Sequence, residues 1–338
     1  NRGKLPFTEE EKQLINAIKD ELETAFKIEI DLFRIMEDHI LNFQYDYEKY
    51  IELLQRKNPK VVFLVVAYEN KALVAACKKM NIEIIELQHG TISPYHLGYS
   101  YPENTMKFND EIKDIEYFPD KILSFGDYWK NACPFPIDSE NIISMGFPYF
   151  EENSKTYMEI SEEKNNEPIA QKQILFISQG VIGKYLSKLA YETASTIKQN
   201  NDSQNFKFIY KLHPGEYGTW KENYDYLTKA VNEFDNFTVI DKSEPPLYEL
   251  FAKSHYQIGA FSTAIYEGLA FNCRTFIIDV PGVEYLDDLI DKDIVKKVKS
   301  SEELINYINN ENISIQEYDK DYFFKNFDET IFKKILSD

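Results

Sequence analysis

Short apolar runs alternate with helical stretches along the second half of the chain, and this alternation constrains the fold more than any other feature. The runs have strand length, and the stretches between them have the spacing of amphipathic helices. Strands that alternate with helices pair in parallel within one sheet, so the pattern predicts a doubly wound α/β domain. The predicted strands are 173–177, 206–212, 237–240, 256–259 and 274–278, and the predicted helices are 181–199, 220–233, 246–253 and 263–270.

The first half of the chain carries a shorter version of the same pattern. Its first apolar run, VVFLVV at 61–66, is rich in β-branched residues, which is typical of a parallel strand covered on both faces. The sequence therefore predicts a second Rossmann-like domain. The predicted strands are 61–66, 82–87, 121–126 and 141–146, and helical spacing covers 8–58 and 70–80.

A polar, charged stretch between residues 151 and 171 separates the two patterns. We place the domain boundary there. The prediction is an N-terminal domain over 1–155 with a helical start and a C-terminal domain over 170–338, whose last helix packs back on the first domain. Two such domains face a cleft, with ligands at the carboxyl ends of their strands. Because the chain begins with Asn1, we expect the first domain to be truncated.

The overall charge excludes one class of partner. The formal net charge is −19, whereas a nucleic-acid binder needs a basic surface, so no nucleic acid is expected. An anionic ligand must then be held by a local site. The three cysteines, Cys77, Cys133 and Cys273, lie far apart without metal-ligand spacing, and we expect free thiols in a reducing compartment. Without a signal peptide or a long apolar segment, a cytoplasmic protein is expected.

Unusual polar residues follow four of the predicted strands. They are Gln88-His89-Gly90, Ser178-Gln179-Gly180, the segment from Lys211 to Gly215, and the segment from Gly259 to Thr263. Loops at strand ends are where α/β proteins place their sites, so the four together indicate a site. The chain has no Gly-x-Gly-x-x-Gly, Walker loop or Gly-x-Ser-x-Gly segment, which argues against dehydrogenases, P-loop proteins and α/β-hydrolases.

The segment at 262–267 has two interpretations. Ser262 and Thr263 at a helix start suit a phosphate, because they add hydroxyl groups to the positive end of the helix dipole. Taken alone, the same residues favour an ordinary N-cap. Glu267, one turn further along, either bonds a ribose hydroxyl or faces water.

His213 and Pro214 form the most informative of these loops. Proline holds the preceding residue in an extended conformation. Lys211 and His213, two apart on a strand, point to the same side and would give two donors for a phosphate. A plain turn has no need of His-Pro, so we favour a functional role.

His89 could be a buried structural residue, a metal ligand or a general base. No second ligand stands at metal-binding spacing, and His96 lies beyond Pro94. Gly90 would let a substrate approach closely or let the chain turn with positive φ. These features favour a base at His89.

The four segments together resemble bacterial surface-polysaccharide glycosyltransferases of the two-domain GT-B fold. Within that group the chain is similar in plan to the sialyltransferases that carry a His-Pro motif, and more distantly to the CDP-glycerol glycerophosphotransferases of teichoic-acid synthesis. Gln88 stands where the latter have Trp in a Trp-His-Gly-Thr segment. The segments are LQHGT at 87–91, ILFISQG at 174–180, YKLHPGE at 210–216 and GAFSTAIYEGLAFNCRTFIID at 259–279.

The resemblance implies a role for each matching residue. His89 would be the base that deprotonates the acceptor in a metal-independent inverting reaction, which needs no cofactor. Gln88, Gly90 and His96 would lie on the acceptor side, in the first domain. The residues on the donor side would be Gln179 and Gly180 at the nucleotide, Lys211, His213, Pro214, Ser262 and Thr263 at the phosphate, and Glu267 near the ribose.

The expected function is therefore a glycosyltransferase. It would move a sugar, with sialic-acid-like sugars among the candidates, from a nucleotide donor to a capsule, lipooligosaccharide or other surface glycan. Its partners would be that donor and a free or lipid-linked glycan, with peripheral association at the inner face of the plasma membrane left open, as is the oligomeric state. The alternatives are a CDP-polyol phosphotransferase of the teichoic-acid type, a nucleotide-sugar 2-epimerase and a non-catalytic glycan-assembly domain.

Overall fold

A computed structural model describes residue 5 and residues 7–101, 117–166, 171–310 and 320–337. Within these residues the strands form a four-stranded and a six-stranded sheet with helices between the strands, which confirms the predicted α/β fold. The strands are β1 Val61–Leu64, β2 Glu83–Leu87, β3 Lys121–Ser124, β4 Ile142–Ser144, β5 Lys172–Ile177, β6 Phe206–Lys211, β7 Phe237–Ile240, β8 Tyr256–Gly259, β9 Arg274–Ile278 and β10 Lys296–Val298.

Helices connect most of these strands. None in the described part of the chain combines the length and the apolar composition that crossing a bilayer requires. The helices are α1 Glu9–Phe26, α2 Leu32–Lys57, α3 Lys71–Lys79, α4 Pro148–Asn166, α5 Gly183–Gln199, α6 Trp220–Asn223, α7 Asp225–Glu233, α8 Leu247–Lys253, α9 Thr263–Ala270, α10 Asp287–Asp291, α11 Ser301–Asn309, α12 Lys320–Phe323 and α13 Glu329–Ser337.

The six-stranded sheet is parallel and doubly wound, as predicted. Its strand order is β10-β9-β8-β5-β6-β7, so the chain starts in the middle, runs to one edge, returns and runs to the other. Ile174, Leu175 and Phe176 of β5 are fully buried in succession, because helices cover both faces of the sheet. The direction of winding reverses between β5 and β8, which is where doubly wound sheets bind ligands.

The four-stranded sheet has the order β1-β2-β3-β4, and β1 pairs with β2 in parallel. Strand β1 ends earlier than predicted, because Val66 has a positive φ of 59° and a short 3₁₀ helix begins at Ala67. The backbone N–H of Ala67 donates to the buried carboxylate of Glu86 on β2, at 3.1 Å. Glu86 therefore anchors the chain where it leaves β1.

The polar stretch chosen for the domain boundary contains helix α4 rather than an extended linker. Its Glu and Lys residues favour a surface helix as much as a loop. The buried hydroxyl of Ser161 donates to the carbonyl of Phe271 at 2.8 Å, so this helix packs against the residues that follow α9.

The chain divides into two compact units, residues 1–88 with 104–122 and residues 89–103 with 123–338. The strands of the four-stranded sheet all precede residue 155, and those of the six-stranded sheet all follow residue 170. The predicted domain boundary between residues 155 and 170 stays a prediction. The segment after β2, with His89, Gly90 and His96, belongs to the second unit, although we expected it in the first domain.

The end of the chain returns to the ends of β3 and β4 within the second unit. The N–H of Lys325 donates to the carbonyl of Phe125 at 2.8 Å, and the N–H of Asp328 donates to the carbonyl of Met145 at 2.8 Å. Phe323 and Phe324 are buried there. These two phenylalanines are therefore part of the core of this unit.

Candidate functional site

Three loops follow the carboxyl ends of neighbouring strands in the six-stranded sheet. The loop at 178–180 follows β5, the loop at 213–215 follows β6, and the loop at 260–262 follows β8. Strands β8, β5 and β6 are adjacent and parallel, and neighbouring strands lie about 4.8 Å apart. The fold thus brings the donor-side segments together at the carboxyl ends of these strands. The segments contain Gln179, Gly180, His213 and Ser262.

The loop after β6 orients the His213 ring. His213 is extended, with φ −67° and ψ 147°, as expected before Pro214. Its Nδ1 accepts a hydrogen bond from the N–H of Gly215 at 3.1 Å, so in the neutral ring the proton lies on Nε2. The ring is exposed. His213 therefore presents a fixed hydrogen-bond donor to solvent or to a ligand.

A buried carboxylate, Glu216, holds this loop in place. Its Oε2 accepts from the backbone N–H of His213 at 2.7 Å, while its Oε1 accepts from the hydroxyls of Ser178 at 2.9 Å and Tyr224 at 2.6 Å. Only 5% of Glu216 is exposed. Glu216 was not among the residues predicted from the sequence, although the spacing His-x-x-Glu is that of a capping box and could have identified it.

Lys211 does not join His213 as predicted. It is only 8% exposed, and its ammonium group donates to the carbonyl of Lys242 and, at 3.1 Å, to the hydroxyl of Tyr217. Those bonds hold its charge inside the fold. We therefore remove Lys211 from the candidate phosphate contacts.

Helix α9 begins at the loop after β8 with an N-cap. The hydroxyl of Ser262 accepts from the N–H of Ala264 at 3.3 Å, and Thr263 is the first helical residue. A β carbon placed on Gly90 would lie 3.8 Å from Oγ1 of Thr263. The segment after β2 therefore reaches the start of α9.

Gly90 is not among the described residues with positive φ. Of its two predicted roles, a turn with positive φ is therefore wrong, and close approach of another group remains. The two residues that precede Gly90 differ in exposure. Gln88 is buried, with 5% exposed, and His89 is exposed.

His96 is partly buried near His89. Its Nδ1 accepts from the N–H of Gly98 at 3.1 Å, and its ring centre lies 4.6 Å from that of Tyr99. Burial lowers the pKa of His96, an effect that a backbone hydrogen bond at His96 partly offsets and to which His89 adds least.

Four rings form an aromatic ridge beside the start of α9, consisting of Tyr95, His96, Phe261 and Tyr285. The centre of the Tyr285 ring lies 6.4, 6.3 and 6.2 Å from those of Tyr95, His96 and Phe261. The Tyr285 hydroxyl donates to the carbonyl of Tyr95 at 3.1 Å. The Tyr95 hydroxyl donates to Asp287 at 3.3 Å, and this bond raises the pKa of Tyr95. No sequence signal connects these residues, because they meet only in the fold.

Glu267 lies one turn along α9 in a mostly buried position. Burial raises its pKa to about 7, an effect that the nearby hydroxyl of Tyr248 partly offsets. The side chain is therefore not the freely solvated carboxylate that was one of the two expectations.

The described residues contain no group of three or more His, Cys, Asp or Glu side chains that could hold a metal ion. The three cysteines are buried free thiols, and burial raises the pKa of Cys77 to about 11 and that of Cys133 to about 12. The metal-independent reaction stays a prediction.

Known structures share the fold at low sequence identity. A UDP-N-acetylglucosamine 2-epimerase from Neisseria meningitidis, bound to UDP-GlcNAc, is 16% identical, with 96% of this chain and 90% of that chain covered and a TM-score of 0.55. A putative 2-epimerase of the same kind from Listeria monocytogenes is 13% identical, with 87% and 79% covered and a TM-score of 0.55. The UDP-GlcNAc 2-epimerase from Methanocaldococcus jannaschii is 10% identical, with 89% and 83% covered and a TM-score of 0.56.

The comparison with protein families is more specific. No curated protein sequence matches the chain significantly. The family model for CDP-glycerol:poly(glycerophosphate) glycerophosphotransferase matches residues 8–322. This family is the one that the motifs indicated as the more distant resemblance, and the likeness to sialyltransferases stays a prediction. Because the match covers most of its length, the chain belongs to the CDP-glycerol:poly(glycerophosphate) glycerophosphotransferase family.

Proposed function

We propose that the chain transfers a polyol phosphate from a CDP-activated polyol to a hydroxyl group of a bacterial surface glycan. The family supports a phosphotransferase. The loops at the carboxyl ends of β8, β5 and β6 carry hydrogen-bond donors that suit a diphosphate. Transfer of a sugar from a nucleotide sugar would use a similar base and phosphate site, and it stays the alternative predicted from the sequence. The likeness to 2-epimerases concerns the fold alone.

One observation carries the proposal, namely that a β carbon placed on Gly90 would lie 3.8 Å from Oγ1 of Thr263. In phosphotransfer the acceptor oxygen attacks phosphorus itself, so the base must act within a few ångströms of the groups that hold the phosphate. His89 directly precedes Gly90, and Thr263 begins the helix whose positive end favours an anion. Base and phosphate site would then be neighbours in one compact unit.

The proposed reaction is a displacement at the phosphorus that carries the polyol. His89 takes the proton of the acceptor hydroxyl, whose oxygen bonds to the phosphorus that carries the polyol. The bond from that phosphorus to the bridging oxygen breaks, and CMP leaves with this oxygen. The Nε2–H of His213 and the start of α9 stabilise the charge on the leaving group.

Charge and aromatic rings favour a neutral glycan as the acceptor. Residues 86–101 and 259–272 contain no Lys or Arg, and the Tyr95 hydroxyl lies beside Asp287. A growing polyol-phosphate chain is anionic in every unit and would be repelled there and by the net charge of −19. The aromatic ridge offers flat apolar faces with polar edges, to which a sugar ring can bind. A lipid-linked glycan would place the protein at the inner face of the plasma membrane.

The experiment that tests the function supplies the protein with CDP-glycerol, UDP-N-acetylglucosamine or a CMP-linked sialic acid, each with and without a neutral disaccharide. We expect CMP release only with CDP-glycerol and the disaccharide, and a product heavier by one glycerol phosphate. Turnover of UDP-N-acetylglucosamine alone would identify an epimerase, transfer from the sialic acid donor a glycosyltransferase, and binding without turnover a non-catalytic domain.

Two further measurements accompany this experiment. Because a ligand that binds only the native state raises the melting temperature, CMP and CDP should raise it more than UDP, dTDP or GDP. Transfer should continue in EDTA. A strict metal requirement would contradict the metal-independent step.

A further inference from the structure

We propose that Glu216 is a positioning residue that fixes His213 relative to the loop at 178–180. The inference deepens the proposed function, since these two loops would hold the donor. Its geometric part is independent of which donor binds.

Glu216 holds the backbone of His213. The N–H of His213 donates to Oε2 of Glu216 at 2.7 Å, and the ring of His213 is held from the other side by the N–H of Gly215. With the backbone and Nδ1 both fixed, the direction of Nε2–H is set by the turn. Glu216 therefore acts on His213 without touching its ring.

Glu216 also holds the neighbouring loop, which follows β5. Oε1 of Glu216 accepts from the Ser178 hydroxyl at 2.9 Å, and that hydroxyl in turn accepts from the hydroxyl of Tyr210 at 3.2 Å. Ser178 directly follows β5 and begins the loop that contains Gln179 and Gly180. One carboxylate thus joins the ends of β5 and β6.

The space around the Glu216 carboxylate is confined. The Tyr224 hydroxyl donates to Oε1 at 2.6 Å, and a β carbon placed on Gly183 would lie 2.8 Å from the same oxygen. A buried carboxylate needs all its donors, since losing one leaves charge without compensation. The three hydrogen-bond donors and the close contact at Gly183 hold the Glu216 carboxylate in one position. The distance between the two loops that it joins is therefore fixed as well.

The test compares Glu216→Ala with Glu222→Ala, an exposed glutamate in α6, and with Glu216→Gln. The amide of Glu216→Gln can accept from the N–H of His213 while its NH₂ donates to the hydroxyls of Ser178 and Tyr224, so it should restore the geometry. We expect Glu216→Ala to speed hydrogen exchange in residues 211–218, to weaken CDP binding by about tenfold or more, and to raise the donor KM more than it lowers kcat. Glu222→Ala should change none of these quantities, and Glu216→Gln should stay within about threefold of the parent.

Tyr224→Phe removes one donor and keeps the carboxylate, so it serves if Glu216→Ala fails to fold. It should give a smaller change in the same exchange and binding measurements. The inference would be overturned if hydrogen exchange in residues 211–218 were unchanged in Glu216→Ala. If Glu216→Ala does not fold, unchanged exchange in Tyr224→Phe would overturn it. A parent protein that does not bind CDP would overturn the proposed function instead, and hydrogen exchange would still decide the role of Glu216.

Discussion

Gly90 lies against the hydroxyl of Thr263, since a β carbon on Gly90 would come within 3.8 Å of Oγ1. The two residues follow strands of different sheets, β2 and β8, yet both belong to the second compact unit. The exposed residue His89 directly precedes Gly90, and Thr263 is the first residue of α9. The contact therefore links the candidate base to the candidate phosphate site.

The first prediction concerns this contact. A distance of 3.8 Å is an ordinary van der Waals contact, so Gly90→Ala should fold with a melting temperature within about 2 °C of the parent, as expected for a change of a few tenths of a kcal/mol. The added methyl group would occupy space that the reacting groups need, so transfer should fall, and Gly90→Leu should lower it further. Activity measurements on both variants test this, and undiminished transfer in the leucine variant would show that no substrate approaches Gly90.

The second prediction concerns His89. His89→Ala should lower kcat for transfer by about 10²- to 10⁴-fold, the usual contribution of a general base, while the Kd for CDP stays nearly unchanged. Single-turnover kinetics and calorimetry measure the two effects separately. His39→Ala is the matched control, because His39 is also exposed and lies on α2 in the other unit. If His89→Ala keeps its activity, the base lies elsewhere.

The third prediction concerns His213. His213→Ala should raise the donor KM and lower kcat, together about 10- to 100-fold in kcat/KM, because a hydrogen bond to a charged group contributes about 1.5–3 kcal/mol. His213→Gln keeps an N–H donor and should recover part of the loss. Steady-state kinetics with varied CDP-glycerol check this, and an unchanged donor KM and kcat would remove His213 from the phosphate site.

The sequence predicted the sheets because the periodicity of apolar residues reports burial directly. It also predicted His213 and Ser262 at strand ends, since parallel strands end at one edge of a sheet. The prediction for Lys211 was wrong. Strand alternation predicts the face of the sheet to which a side chain points, but it does not predict which groups from other segments lie on that face. The Lys242 carbonyl and the Tyr217 hydroxyl come from such segments.

The same limit explains the features that sequence reasoning missed. The aromatic ridge joins Tyr95 to Tyr285, which only the folded chain brings together. Helix α4 was assigned to a boundary because polar residues serve both linkers and exposed helices. Glu216 was detectable through its capping-box spacing, whereas its bond to Ser178 depends on the pairing of β5 with β6.

The fourth prediction concerns Gly183, at the start of α5. A β carbon there would lie 2.2 Å from the Tyr224 hydroxyl and 2.8 Å from Oε1 of Glu216, so the backbone or both side chains must move. Gly183→Ala should therefore destabilise the protein by about 1–3 kcal/mol, as overpacking does, despite the better helix propensity of alanine. Urea denaturation measures the loss. A stability equal to or above that of the parent would mean that the network around Glu216 is looser than described.

The fifth prediction concerns the pH dependence of stability. Burial raises the pKa of Glu267 from its ordinary value of 4.5 to about 7, so the folded state holds this proton more tightly than the unfolded state. Between these two pH values the unfolded carboxyl is ionised while the folded one keeps its proton. Stability should therefore fall as pH rises, by up to about 1.4 kcal/mol per pH unit from this group, and the fall should end above pH 7.

Glu267→Gln removes this titration while keeping the shape of the side chain. Its stability should depend less on pH than that of the parent, and the difference between the two should grow between pH 5 and pH 7 to at most about 3 kcal/mol. Urea denaturation at several pH values measures it, with Glu222→Gln as the exposed control. The sign follows from burial, because a carboxylate that lost its hydration without gaining a cation is more stable with its proton. Parallel pH profiles for the parent and Glu267→Gln would mean that Glu267 ionises in the folded protein as it does in water.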